Sequence, residues 1–82
     1  MRYFFTRHAT DRMKERSISK KVIDLAFAEP TKVLYDDNDR ILIKKLYKRR
    51  GIDRLLIIVG KLEKGDFKII TIIETSKIRK YL

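Results

Sequence analysis

Apolar positions recur at helical spacing between Thr6 and Glu29 and at strand spacing after Pro30, and this change of period divides the chain. The opening Arg2 to Thr6 (RYFFT) is β-prone. It is expected either as a short first strand or as aromatics packed beneath a sheet. From Thr6 or Arg7 to about Arg16, Ala9 and Met13 share one helical face, with His8, Arg12 and Glu15 or Arg16 on neighbouring ones. Ser17-Ile18-Ser19 ends that helix. Ser19 is a natural N-cap for a second helix, Lys20 to Glu29, in which Val22, Ile23, Ala26 and Phe27 form an apolar stripe before Pro30.

Beyond Pro30, Thr31 to Tyr35 reads as extended and Asp36-Asp37-Asn38-Asp39 as a turn. Arg40 to Lys48 (RILIKKLYK) alternates, one face buried near its start and both wetter toward its end. Arg49-Arg50-Gly51 turns the chain into Arg54 to Val59, apolar on both faces as a central strand requires. The Glu63 to Asp66 turn then leads into Phe67 to Glu74. Thr75 to Leu82 returns to charge and fits a strand extension or a short docked helix. The predicted architecture is one α+β domain spanning residues 1–82, with two N-terminal helices packed on a twisted three- to four-stranded antiparallel sheet.

Composition narrows the partners. An 82-residue chain supports one thin core, and at 44% hydrophobic residues it does so without a metal or disulfide staple. Cysteine is absent, which excludes thiolate zinc sites and a cysteine nucleophile and suits a reducing cytoplasm, the expected compartment. The longest apolar run, Leu55 to Val59, falls far short of the roughly 20 residues a membrane helix needs. Twenty-one Lys and Arg against eleven Asp and Glu leave a charge of +10, which draws polyanions. The expected partner is therefore RNA, DNA or an acidic protein. A thermophile's lysine-rich surface is the plainer explanation, but such surfaces balance Lys with Glu and this one does not.

Three groups of residues carry candidate chemistry. His8, the only histidine, Arg12 and Arg16 stand at i, i+4 and i+8 on one helix edge; cations nearby favour the neutral imidazole, a competent proton acceptor. A solvated helix face shows the same spacing with no function. Lys44, Lys45, Tyr47, Lys48, Arg49, Arg50 and Arg54 gather toward one end of the sheet, where arginine can clamp phosphate and Tyr47 can stack on a base. Charge that merely keeps a hairpin soluble is the competing explanation. In the tail, Thr75, Ser76, Lys77, Arg79, Lys80 and Tyr81 would complete a site if they folded back toward His8; a frayed basic tail is the alternative. The Asp36 to Asp39 run lacks the central glycine and the twelfth-position glutamate of a calcium loop, and no second histidine offers a metal site. No cofactor is expected.

His8-Ala9-x-x-Arg12-Met13-x-x-Arg16, followed by Ile18-Ser19, a helix ending before Pro30 and a meander closing on Ile69 to Thr75, resembles small prokaryotic domains related to the RelE and ParE toxins and to BrnT. The resemblance spans nearly the whole chain and implies a RelE-like fold. It also implies metal-independent RNA cleavage, in which the ribose 2′-hydroxyl attacks the adjacent phosphate and basic side chains stabilise the transition state. On that resemblance His8 would move the proton, Arg12 and Arg16 would hold phosphate, Lys44, Lys48 and Arg79 would add charge, and Thr75 and Tyr81 would hydrogen-bond the phosphate. The implied partners are RNA, free or on the ribosome, and an acidic antitoxin; apolar strands and a thin core are compatible with a homodimer. A non-catalytic basic domain that binds nucleic acid or an acidic protein, and a ParE-like gyrase inhibitor, are the alternatives, because fold does not settle activity.

Overall fold

The computed structural model describes residues 2–82. A short strand β1 (Tyr3–Phe5) leads into helices α1 (Arg7–Glu15) and α2 (Lys20–Ala28). Strands β2 (Lys32–Tyr35), β3 (Ile41–Arg49), β4 (Ile52–Glu63) and β5 (Asp66–Thr75) follow, and a single-turn helix α3 (Ile78–Tyr81) comes last. The strands make one sheet in the order β1-β5-β4-β3-β2. Consecutive strands from β2 to β5 pair antiparallel, whereas β1 runs parallel to β5, with Tyr3 beside Phe67 and Phe5 beside Ile69.

The expected three- to four-stranded antiparallel sheet beneath two N-terminal helices is thus incorrect. The sheet has five strands and is mixed, a strand precedes the helices, and a third helix lies beyond β5. The reason is long-range pairing: β1 has only three residues and its partner lies far along the chain, so no local periodicity reports it. Residues 2–5 also turn out to supply both of the alternatives considered for them. Tyr3 pairs in the sheet while its ring stacks on Phe27 with centroids 5.0 Å apart, and Phe27 in turn meets Phe67 edge-on.

Local chemistry sets the helix ends. Thr6 Oγ1 accepts the Ala9 N–H at 3.1 Å and Ser19 Oγ accepts the Val22 N–H at 3.3 Å, each satisfying an orphan donor of the first turn. Helix α1 stops because Ser17 adopts a left-handed φ of 53°, so that its N–H reaches Lys14 O and the Ile18 N–H reaches Met13 O. Ile18, at the end of this cap, is buried and starts the core.

Ala9, Ile23 and Ala26 from the two helices meet Ile43, Leu56, Ile58, Phe67, Ile69 and Ile72 from the sheet in that core. A bulge lets β5 contribute so much: Val59 pairs Thr71 and Gly60 pairs Ile69, which leaves Ile70 without an opposite and turns both Ile69 and Ile72 inward. Gly60 is required at this point. A Cβ there would lie 2.3 Å from the Lys68 carbonyl oxygen and 2.3 Å from the Phe67 ring, which packs over the bare backbone.

Successive lysines of β3 point to opposite faces. Lys45 Nζ donates to Glu29 O at the end of α2 at 2.6 Å, while Lys44 Nζ donates to Tyr81 O, so α3 covers the face away from α1 and α2. Lys32 Nζ adds a bond to Leu82 O at 2.7 Å on that second face. Among the described residues no helix is long and apolar enough to cross a membrane.

Candidate nucleic-acid interface

Arg50 and Gly51, with φ of 53° and 78°, form a two-residue loop between the paired Arg49 and Ile52. Positive φ at both positions matches the twist of a tight hairpin and holds the β3–β4 end rigidly. The same end carries Arg49, Arg50 and Arg54. The last turn of α1 brings Glu15, Arg16 and Ser17 beside it, and β5 contributes Glu74. Together with Ile52 these residues line a cleft of about 510 Å³.

The four arginines are not equivalent. Arg49 is committed: its Nη1 donates to Arg16 O at 2.9 Å and to Glu74 Oε1 at 3.1 Å, and its Nη2 donates to Ser17 O at 3.3 Å. It therefore satisfies carbonyls at the C-terminal end of α1, where a cation is favoured, and fixes one wall of the cleft. Arg16 and Arg50 are exposed and make no ion pair among the described residues. Arg54 is half-buried, and its Nε is sealed from solvent with no hydrogen-bond partner among the described residues. Leaving such a donor unmade costs about 1–3 kcal/mol, so this guanidinium is held in an environment that lacks its acceptor.

Whereas Glu15 is exposed and pairs with Arg12, Glu74 is the cleft's buried carboxylate. Its side chain is 8% exposed, receives a hydrogen bond from the Tyr47 hydroxyl and pairs with Arg49. Burial pushes its carboxyl above the ordinary glutamate value, and the positive charge of Arg16 draws it back. A buried carboxyl with a raised proton affinity beside cations is suited to accepting a proton from a nearby hydroxyl.

The structure separates the expected His8, Arg12, Arg16 and Tyr81 group. His8 Nε2 shares a 3.0 Å hydrogen bond with Thr71 Oγ1 on β5, and Arg12 pairs with Glu15 at 3.6 Å. His8 and Arg16 are eight residues apart, about 12 Å along the helix axis, and whereas His8 bonds Thr71, Arg16 lines the cleft. Tyr81 lies on the opposite face of the sheet with Lys44, and the tail holding Lys77 and Arg79 does not fold back toward His8. Lys45 is spent on α2, and Lys48 pairs with Asp53 at 3.1 Å. What comes together is Arg16 with Arg49, Arg50 and Arg54, and Tyr47 against Glu74.

Sequence reasoning missed Glu74, Ser17 and Thr71. Glu74 had a signal, a lone acid closing the apolar run Ile69 to Ile73. The other two had none, since Ser17 depends on the cap geometry and Thr71 on the bulge. Among the described residues no group of three or more His, Asp or Glu side chains is placed to hold a metal.

Fold and site together define a small basic single-sheet domain with an arginine-lined cleft. Residues 5–74 match the family described as "Domain of unknown function (DUF4258)", and the chain belongs to that family. No curated protein and no solved structure matches it.

Proposed function

We propose that this chain is a toxin-like, metal-independent endoribonuclease that seats an RNA phosphodiester in the arginine cleft. The observation that carries the proposal is Arg54, which lines the same cleft as Arg16 and Arg50 and whose buried Nε has no hydrogen-bond partner among the described residues. Arg54 makes no ion pair among the described residues, and its guanidinium fork suits a phosphate seated in the cleft. In the reaction the ribose 2′-oxygen bonds to the adjacent phosphorus and gives its proton to the Glu74 carboxylate. The bond from phosphorus to the 5′-oxygen breaks, and that oxygen takes a proton from water, to which Glu74 returns the proton it accepted. The products are a 2′,3′-cyclic phosphate and a 5′-hydroxyl. Arg16, Arg50 and Arg54 stabilise the additional negative charge that develops on the phosphoryl oxygens. His8 has no part in this scheme. An acidic antitoxin is the protein partner that would neutralise the +10 charge.

A second reading, that the cleft binds RNA without cutting it, is favoured by one observation: among the described residues the cleft's one buried carboxylate, Glu74, is already paired with Arg49 and bonded by Tyr47. The deciding experiment incubates single-stranded RNA with wild type, Glu74→Gln, Arg54→Met and His8→Ala in EDTA, with binding measured alongside. Cleavage by wild type and His8→Ala, with binding but no cleavage by Glu74→Gln, is the expected result. Equal binding by wild type, Glu74→Gln and His8→Ala, weaker binding by Arg54→Met and no cleavage by any of them, with or without ribosomes, leaves the binding reading. Cleavage lost only in His8→Ala overturns the assignment to this cleft.

A further inference from the structure

We propose that two copies of this chain associate edge to edge through β2, with Leu34 of each copy on the two-fold axis. β2 is an outer strand, hydrogen-bonded on one side to β3 alone, and every one of its residues is exposed. Val33, Leu34 and Tyr35 stand 39%, 41% and 76% exposed, an apolar edge of the kind native sheets usually shield. The Asp36 N–H donates to Arg40 O at 3.0 Å, toward β3. By the alternation of an antiparallel ladder the polar backbone groups of Leu34 also face β3, and those of Val33 and Tyr35 face outward.

A two-fold axis perpendicular to the sheet joins like faces, so only residues of equal parity can pair across it. Centring the axis on Leu34 sets Val33 opposite Tyr35 and Lys32 opposite Asp36 of the second copy. Each outward N–H of Val33 and Tyr35 then donates to the outward carbonyl of its opposite residue. All three kinds of pair are favourable: Leu with Leu, a β-branched residue with an aromatic, and a cation with an anion, since Lys32 Nζ keeps two donors beside its bond to Leu82 O and Asp36 keeps Oδ2 while Oδ1 accepts the Asn38 and Arg40 N–H groups. Centring on Val33 leaves Lys32 and Asp36 unmatched. The edge carries both signs of charge, cation first and anion last, which fits an antiparallel copy of itself; a wholly acidic strand would meet Asp36 and Asp37. β2 pairs with the Ile41 end of β3 and the cleft lies at the Arg49 end, so both clefts stay open in the dimer.

The absence of cysteine gives a clean test. On the axis two Leu34 residues form a non-hydrogen-bonded pair with Cα atoms about 4.5 Å apart, within disulfide reach. Leu34→Cys is expected to form a disulfide-linked species of twice the mass under mild oxidation. Leu46→Cys, equally exposed on the same face of the sheet, is not. Wild type is expected to approach twice the monomer mass in sedimentation at high micromolar concentration, more readily as salt screens its net charge, and Leu34→Lys to stay monomeric with an unchanged melting curve. Monomeric wild type throughout, cross-linking no faster in Leu34→Cys than in Leu46→Cys, or a dimer that survives Leu34→Lys each overturns the proposal.

Discussion

Replacing Arg54 by methionine is expected to strengthen the fold and weaken RNA binding at once. In the free protein the Arg54 Nε is buried without an acceptor, and an unmade buried donor costs about 1–3 kcal/mol. Methionine keeps the aliphatic stem that lies beside Tyr47, its cross-strand neighbour, and removes that donor. A net gain of about 1 kcal/mol follows, equivalent to about 4–8 °C in Tm for a domain of this size. In the complex the same guanidinium makes a charge-assisted bond worth about 1.5–3 kcal/mol, so Kd should rise about 10- to 100-fold. The slope of log K against log salt should become shallower by about 0.7, the share of one phosphate contact on a single strand. Circular dichroism melts and anisotropy titrations of labelled single-stranded RNA over a salt series read both quantities. Arg2→Met removes the same charge from a side chain that is 89% exposed and paired with Asp66, and serves as the control. A variant that melts earlier than wild type and binds with an unchanged slope would show that Arg54 is a packing residue and refute the reasoning.

Four other expectations can be checked independently. Glu74 holds its proton in the folded chain at pH values where the unfolded chain has released it. Its contribution is therefore fully present below the ordinary glutamate value and is lost as pH rises through the raised one; denaturant titrations across mildly acidic pH should show this fall in wild type and not in Glu74→Gln. Gly60→Ala drives a methyl into the Lys68 carbonyl and the fully buried Phe67 ring, so it should cost at least about 2 kcal/mol by urea denaturation; a loss within about 0.5 kcal/mol contradicts the close approach. Ser17→Gly relieves a left-handed serine and should stabilise by about 1 kcal/mol while leaving RNA affinity within twofold, since Arg49 grips the backbone carbonyl of that residue and not its side chain. Tyr81→Phe should change neither RNA binding nor cleavage, because Tyr81 lies across the sheet from the cleft; a marked loss of either would place the tail in the site.

Helices and turns were legible because their determinants are local. Ser19 before an apolar stripe and Pro30 after it delimit α2 within a residue of the expected span, and the glycine-containing turns divide the meander where the strands end. The limits of β4 were less so: Arg54 to Val59 was expected, but the strand runs from Ile52 to Glu63, because pairing with two neighbours extends it through polar residues that local pattern assigns to turns. The parallel pairing of β1 and the bulge at Gly60 depend on partners far along the chain. The arginines of the cleft were visible as charge, but their division was not. Nothing in the run from Lys44 to Arg50 tells that Lys44 and Lys45 fasten opposite layers, that Arg49 closes a helix end, or that Arg50 makes no ion pair among the described residues. His8 illustrates the converse, since spacing put it in one row with Arg16, and helix length keeps them apart.

The cleft draws its walls from residues 15–17, from the hairpin at 49–54 and from Glu74, near the end of the last strand. Its parts are therefore scattered along the polypeptide, and none of them makes a phosphate seat alone. During synthesis the arginines emerge before Glu74, which receives Arg49 and the Tyr47 hydroxyl. A nascent or truncated chain that lacks β5 has the charge to adhere to RNA but no organised site. The proposed RNA site therefore forms only once β5 has joined the sheet.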